Sequence, residues 1–243
     1  DLKKLGLVDN TLSASGCMHL DFDSDMKRCH RLRGLVSDLT IHDERKYYRP
    51  DDMVLDMFSC PDTTHAVIDC ADFHLDMDAS HYYEDLLKST NNIAAEVQKQ
   101  YNDRHIDQLS IRQQLPNARV WLSSGKDNFI VQMLNKYGYG IKDLTCSLTS
   151  SPLEGLNGQM HVDSLIVDSI LLDTVHFAIR SDSTNIFYSA QVRNAKGNPQ
   201  YVFNALADGG LTEKGTYLTA SVFDSKDQLG VRMGVSAEFA DSG

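Results

Sequence analysis

A chain of 243 residues with 42% hydrophobic residues is long enough to bury a sizeable core, and its composition is not that of a disordered protein. The formal net charge of -11 excludes an extended nucleic-acid surface, which needs a concentrated Lys/Arg face. The one basic run, Lys27 to Arg33, is short and reads as a solvated turn. No run approaches the roughly 20 apolar residues of a membrane helix. The opening DLKKLGLVDN has neither an initiator Met nor a signal-peptide pattern, so the chain is read as an internal piece of a longer protein.

From Leu12 to about Met77 the hydrophobic period is two. Met18, Leu20 and Phe22 alternate with His19, Asp21 and Asp23; Met53, Leu55 and Met57 follow, then Phe73, Leu75 and Met77. Such alternation predicts strands with one apolar and one polar face. Gly16, Gly34, Pro50 and Pro61-Asp62 read as turns between them. Residues 1–78 thus form a first β segment.

Residues 79–138 change period. After Ser80, a candidate N-cap, Tyr83, Leu86, Leu87, Ile93, Ala94, Val97 and Tyr101 recur at helical spacing. A shorter helix is expected over Ile106 to Leu115, ending at Pro116, then a strand over Ala118 to Leu122 with Trp121 as a core anchor. A compact helix from about Lys126 stops at Gly138.

Residues 139–243 return to strands. Their expected hairpin turns are Asp182-Ser-Thr-Asn185, Ala195-Lys-Gly-Asn-Pro199, Asp208-Gly-Gly210 and Asp224-Ser-Lys-Asp227. The fold class is therefore mainly β: an elongated, curled antiparallel sheet with rung repeats and a helical insert, readable as one continuous β domain. A sealed β-sandwich is the competing architecture.

The residues of ordinary catalysis are missing. There is no HExxH, P-loop, G-x-S-x-G or G-x-G-x-x-G. Asp21 to Asp25 imitates half a calcium loop, but Met26 replaces the turn Gly and Leu32 the bidentate Glu. His19, His74, His161 and His176 fall at the polar phase of their strands, where a solvent-facing role is the simpler one. No metal, cofactor or catalytic residue is assigned, and a secreted hydrolase or metal module is the least supported class. Cys17 with Cys29, or Cys60 with Cys70, are pairings that adjacent strands allow. The odd count and the strand-like settings favour packed free thiols. The hexapeptides Gly16-Cys-Met-His-Leu-Asp21 and Gly158-Gln-Met-His-Val-Asp163 nearly repeat each other and read as one rung of β-structure built twice.

The C-terminal block carries Ser151-Pro-Leu-Glu-Gly-Leu-Asn-Gly158, Met160-His-Val-Asp-Ser-Leu165, Leu172-Asp-Thr-Val175 and Phe177-Ala-Ile-Arg-Ser-Asp182. Tyr188-Ser-Ala-Gln-Val192, Tyr201-Val-Phe203, Val222-Phe-Asp-Ser225 and Gly230-Val-Arg-Met-Gly234 follow. In this order they resemble the AsmA-like/TamB family of envelope proteins, in the form associated with Bacteroidetes-type sequences. Leu5-Gly-Leu7, Ser15-Gly16, Phe22-Asp23, Gly34-Leu35, Thr63-Thr-His-Ala66 and Asp72-Phe73 look like further rungs. The resemblance covers about two-thirds of the chain, with the helical middle loosely matched.

The resemblance implies a non-enzymatic, taco-like β groove in the periplasm, anchored at the inner membrane through a segment outside this chain. It further implies phospholipid as cargo, and an outer-membrane TamA-type barrel as a partner of regions outside this chain. The expected lipid-facing residues are Met160, Val162, Val175, Phe177, Ile179, Ile186, Tyr188, Phe203, Val222, Val231, Met233 and Val235. The alternative is a β-scaffold that assists outer-membrane protein assembly by pairing at its open edges.

Overall fold

The computed structural model describes residues 12–43, 46–103, 107–136, 138–167, 170–182, 184–194, 202–212 and 215–238. The first half contains β1 (Leu12–Ser24), β2 (His30–Asp43), β3 (Lys46–Tyr48), β4 (Met53–Cys60), β5 (Thr63–Cys70) and β6 (Phe73–Ala79). Two helices, α1 (Tyr83–Asp103) and α2 (Gln108–Gln113), precede β7 (Ala118–Gly125) and α3 (Phe129–Lys136). The second half is β8 (Tyr139–Gly140), β9 (Asp143–Ser151), β10 (Gly155–Val167), β11 (Ile170–Ser181) and β12 (Ile186–Asn194). It ends with β13 (Phe203–Thr212), β14 (Gly215–Phe223) and β15 (Leu229–Glu238).

The fifteen strands of the described residues belong to one open sheet, ordered β1-β2-β4-β5-β6-β7-β9-β10-β11-β12-β13-β14-β15. Short β3 pairs with β2, and short β8 with β10. Every pairing is antiparallel, so the chain meanders from one edge to the other. Strand β7, inside the helical segment, pairs with both β6 and β9 and makes the sheet continuous. Among the described residues there is no second sheet, so the sandwich alternative is not what forms.

Several expected turns lie elsewhere. Gly16 and Gly34 are inside β1 and β2, and Asp208-Gly209-Gly210 lies inside β13. The reason at β13 is aromatic packing: a side chain on Gly209 would strike the Tyr188 ring, and one on Gly210 would meet Tyr217 and Phe187. The two glycines make room for rings on opposite faces. The turns at Asp182–Asn185 and Asp224–Asp227 are present, closed by Asp182 N–H to Asn185 O and Asp224 N–H to Gln228 O. The Ala195–Pro199 turn lies outside the described residues.

Helix α1 begins at Tyr83, three residues after Ser80, so Ser80 is not its N-cap. Helix α3 has Asn128 as its buried N-terminal anchor. The Asn128 amide donates to Asp72 Oδ1 at 2.7 Å, Ser124 Oγ at 2.9 Å and Gly125 O at 2.9 Å, while its Oδ1 accepts from Val131 N–H at 3.1 Å. The helix stops before Gly138, whose φ of 82° is the left-handed conformation that glycine accepts without strain.

Cysteine pairing departs from expectation. Because His30 pairs with Ser59, the preceding Cys29 falls opposite Cys60, and the two form a disulfide with Cα atoms 4.3 Å apart. Cys17, Cys70 and Cys146 are free thiols, of which Cys17 is exposed and Cys70 buried. Burial pushes the Cys70 thiol pKa up, as suits a cysteine packed as a small hydrophobe.

Candidate functional site

Directly opposed residues of an antiparallel pair project from the same face, so the register can be followed strand by strand across the sheet. One such row reads Leu20, Gly34, Leu55, Ile68, Leu75, Leu122, Cys146, Met160, Phe177, Ala190, Ala207, Ala220, Met233. It crosses all thirteen strands of the main path without a polar side chain.

Two residues along each strand lies a second row on the same face. It reads Met18, Val36, Met53, Cys70, Phe73, Ser124, Leu144, Val162, Val175, Val192, Ala205, Val222, Val231, with Ser124 its one hydroxyl. On the other side of the first runs a third: Phe22, Leu32, Met57, Ala66, Met77, Val120, Leu148, Gly158, Ile179, Tyr188, Gly209, Leu218, Val235. With strands about 4.8 Å apart, the three rows make an apolar stripe about 58 Å long, measured along the sheet, and about 14 Å wide.

All twelve sequence-predicted residues lie on this face. Met160, Phe177 and Met233 are in the first row; Val162, Val175, Val222 and Val231 in the second; Ile179, Tyr188 and Val235 in the third. Ile186 lies one step beyond the third row, opposite Ser181 and Leu211. Phe203 lies one step beyond the second, opposite Asn194. The residues expected to face lipid all belong to the C-terminal half, and the stripe is twice that long. Leu20, Leu55, Ile68, Leu75 and Leu122 extend the same rows through the N-terminal strands, and the alternation already noted there was the available signal.

The stripe is graded in exposure rather than sealed. Val162, near its middle, is 5% exposed, whereas Met18, Leu20 and Phe22 at one edge and Val231, Met233 and Val235 at the other are all more than half exposed. On β15 every residue is exposed.

The opposite face is polar and laced with ion pairs. Asp56 receives Arg31 through Nε at 3.2 Å and Nη2 at 2.7 Å, and these bonds hold its carboxyl below the usual carboxylate value. Asp78 is held low by Arg119 first and His65 second. His74 pairs with Asp69 at 2.6 Å. Trp121 belongs to this face, opposite Asp76 and Ser147 and 43% exposed, so it is not the core anchor expected of a lone tryptophan. Its alternation with Val120 and Leu122 put it outward.

The repeated hexapeptides also resolve here. His19 lies 3.3 Å from Asp21 and His161 lies 3.0 Å from Asp163, both pairs on the polar face. Their apolar partners, Met18 with Leu20 and Met160 with Val162, line the stripe. The two copies are not related by simple translation, however. Strands β1 and β10 stand first and eighth in an all-antiparallel path and so run in opposite directions. Met18 is therefore in the second row and Met160 in the first.

One group among the described residues brings three candidate metal ligands together: His65, Asp76 and Asp78. The Arg119 guanidinium already bonds Asp78, and His65 Nδ1 bonds it from the other side at 2.8 Å. The cation of this cluster is an arginine.

The helical hairpin α1–α2 follows the rim formed by the strand ends beside the third row. At one end Tyr83 N–H donates to Ser59 Oγ at 3.1 Å, and Thr64 Oγ1 donates to His81 O at 2.7 Å. At the other, Gln108 donates to Leu211 O, and Arg112 donates to Pro152 O and Asp182 O. The hairpin thus ties the ends of β4 and β5 to those of β9, β11 and β13. No helix among the described residues is long and apolar enough to cross a membrane. Comparison with models of protein families, with curated proteins and with solved structures finds no match.

Proposed function

We propose that this chain is a segment of a periplasmic, AsmA/TamB-like lipid conduit, with phospholipid acyl chains sheltered on the apolar stripe. The observation that carries the reading is the run of three rows along thirteen strands, apolar but for the Ser124 and Tyr188 hydroxyls. An acyl chain needs continuous apolar surface and no hydrogen-bond donors. A sheet satisfies its backbone internally and offers only side chains, and each methylene removed from water contributes about 0.8 kcal/mol. The role is non-enzymatic and uses no cofactor. The Cys29–Cys60 disulfide supports an oxidising compartment such as the periplasm.

The test is photo-crosslinking from Phe177 and Met233, combined with mass spectrometry of co-purifying lipid. Lipid adducts at both positions are expected, those from position 177 lost in Met160→Asp and those from position 233 lost in Ala220→Asp, the facing residues of the same row. Absence of lipid adducts from every stripe position would overturn the reading.

A second reading, a scaffold that pairs extended segments of outer-membrane proteins, is favoured by one feature: the sheet of the described residues is open and not closed into a barrel. It separates cleanly from the first. Charge placed in the stripe blocks lipid transfer under the conduit reading and leaves peptide binding at the edge intact under the scaffold reading.

A further inference from the structure

Between the helical hairpin and the sheet lies a cavity of about 210 Å³. Ile93 and Val97 of α1 and Leu109 and Ile111 of α2 face it from the helices, and Leu156 and Ile186 from the strands. Leu156 and Ile186 precede Gly158 and Tyr188 by two residues, so they continue the apolar face just beyond the third row.

The polar side chains around this cavity each already bond within the chain. The Gln108 amide donates to Leu211 O, and the Arg112 guanidinium donates to Pro152 O and Asp182 O. Ser181 Oγ donates to Leu156 O and accepts from Leu156 N–H. The Asp182 carboxylate accepts from Thr184 and Asn185 N–H and from the Asn185 amide. A ligand with its own donors and acceptors would leave them unsatisfied here, at a cost that hydrocarbon avoids. Apolar cavities of about 150 Å³ stay dry and admit benzene-sized hydrocarbon. A cavity of 210 Å³ is of the size for a short run of methylenes, not for a whole lipid.

We infer that the hairpin pocket takes the methyl end of a single acyl chain, the rest of that lipid lying on the stripe. This rests on the conduit reading and adds a tail-gripping role for the helical insert.

The experiment uses the purified chain and two hexadecanoic acid probes, one with a diazirine at the methyl end and one with it beside the carboxylate. The methyl-end probe is expected to label Ile93, Leu156 or Ile186, and the carboxylate-side probe to label none of them. Val97→Trp and Leu109→Trp, at positions that are each 47% exposed, fill the mouth without burdening the fold. Each should cut pocket labelling about tenfold, the equivalent of roughly two methylenes' burial, and leave labelling at Met233 unchanged. Equal pocket labelling by both probes would overturn the inference. Labelling of the stripe alone would overturn it too, while leaving the conduit reading standing. No labelling at any position would overturn both.

Discussion

Cys29 and Cys60 are joined across β2 and β4, at the end of the sheet where α1 begins. Their separation of 31 residues makes the bond a constraint on the unfolded chain, worth about 2–4 kcal/mol for loops of this order. Cys60→Ser, or reduction, is expected to lower the urea-unfolding free energy by that amount. The pairing has a direct check: with Cys17, Cys70 and Cys146 free, alkylation of the denatured chain should block these three thiols before reduction and release Cys29 and Cys60 after it. A different set of protected cysteines would refute the pairing.

Tyr188 lies over Gly209 and donates its hydroxyl to Tyr217 O at 3.2 Å. Gly209→Ala is expected to cost about 1–3 kcal/mol because the new methyl displaces the ring. In a Tyr188→Ala background the same change should be neutral or stabilising by up to about 1 kcal/mol, since Gly is entropically unfavourable within a strand. Urea unfolding of the four proteins measures the coupling. Equal costs in the two backgrounds would show that the ring is not the obstacle.

The Arg31–Asp56 pair predicts a pH dependence. Its hydrogen bonds keep the folded pKa of Asp56 below the reference value of 3.8. A carboxyl depressed on folding stabilises the protein fully above its unfolded pKa, and loses that contribution as pH falls through the folded value. With the carboxylate 36% exposed, solvent screening limits the effect to about 1 kcal/mol or less. Asp56→Asn should therefore be slightly destabilised at pH 7 relative to the parent, with the gap closing below about pH 4 and shrinking in high salt. A gap that widens on acidification would contradict the assignment.

Asn128 is almost wholly buried and bonds the β5–β6 turn, the end of β7 and the first turn of α3. Asn128→Ala is expected to cost about 1–3 kcal/mol, because Asp72 Oδ1 and Val131 N–H both lose a buried partner. Hydrogen exchange should accelerate in α3 and leave the β13–β15 amides nearly unchanged. Uniform acceleration over the sheet would mean that α3 is not an independently anchored element.

Much of this architecture was legible because alternation is a local property. Met18-His19-Leu20-Asp21-Phe22 specifies its two faces without reference to any other strand, and so does Val231-Arg232-Met233-Gly234-Val235. Pairing then needs only the short connections of a meander, and all twelve residues assigned to the apolar face are on it. Gly34 and Gly209 misled because a glycine that makes room for a cross-strand neighbour reads the same as one that makes a turn. Trp121 misled because its size suggested burial while its phase pointed outward.

By itself, then, the sequence determined the faces: a period of two fixes which side of a strand each residue occupies, whatever strand comes to lie beside it. Only the tertiary structure decided the register that lines those faces into three continuous rows. The Cys29–Cys60 bridge and the seating of the helical hairpin over Leu156 and Ile186 were settled at the same level. These depend on which residues are brought opposite one another across tens of positions, and no local pattern encodes that distance.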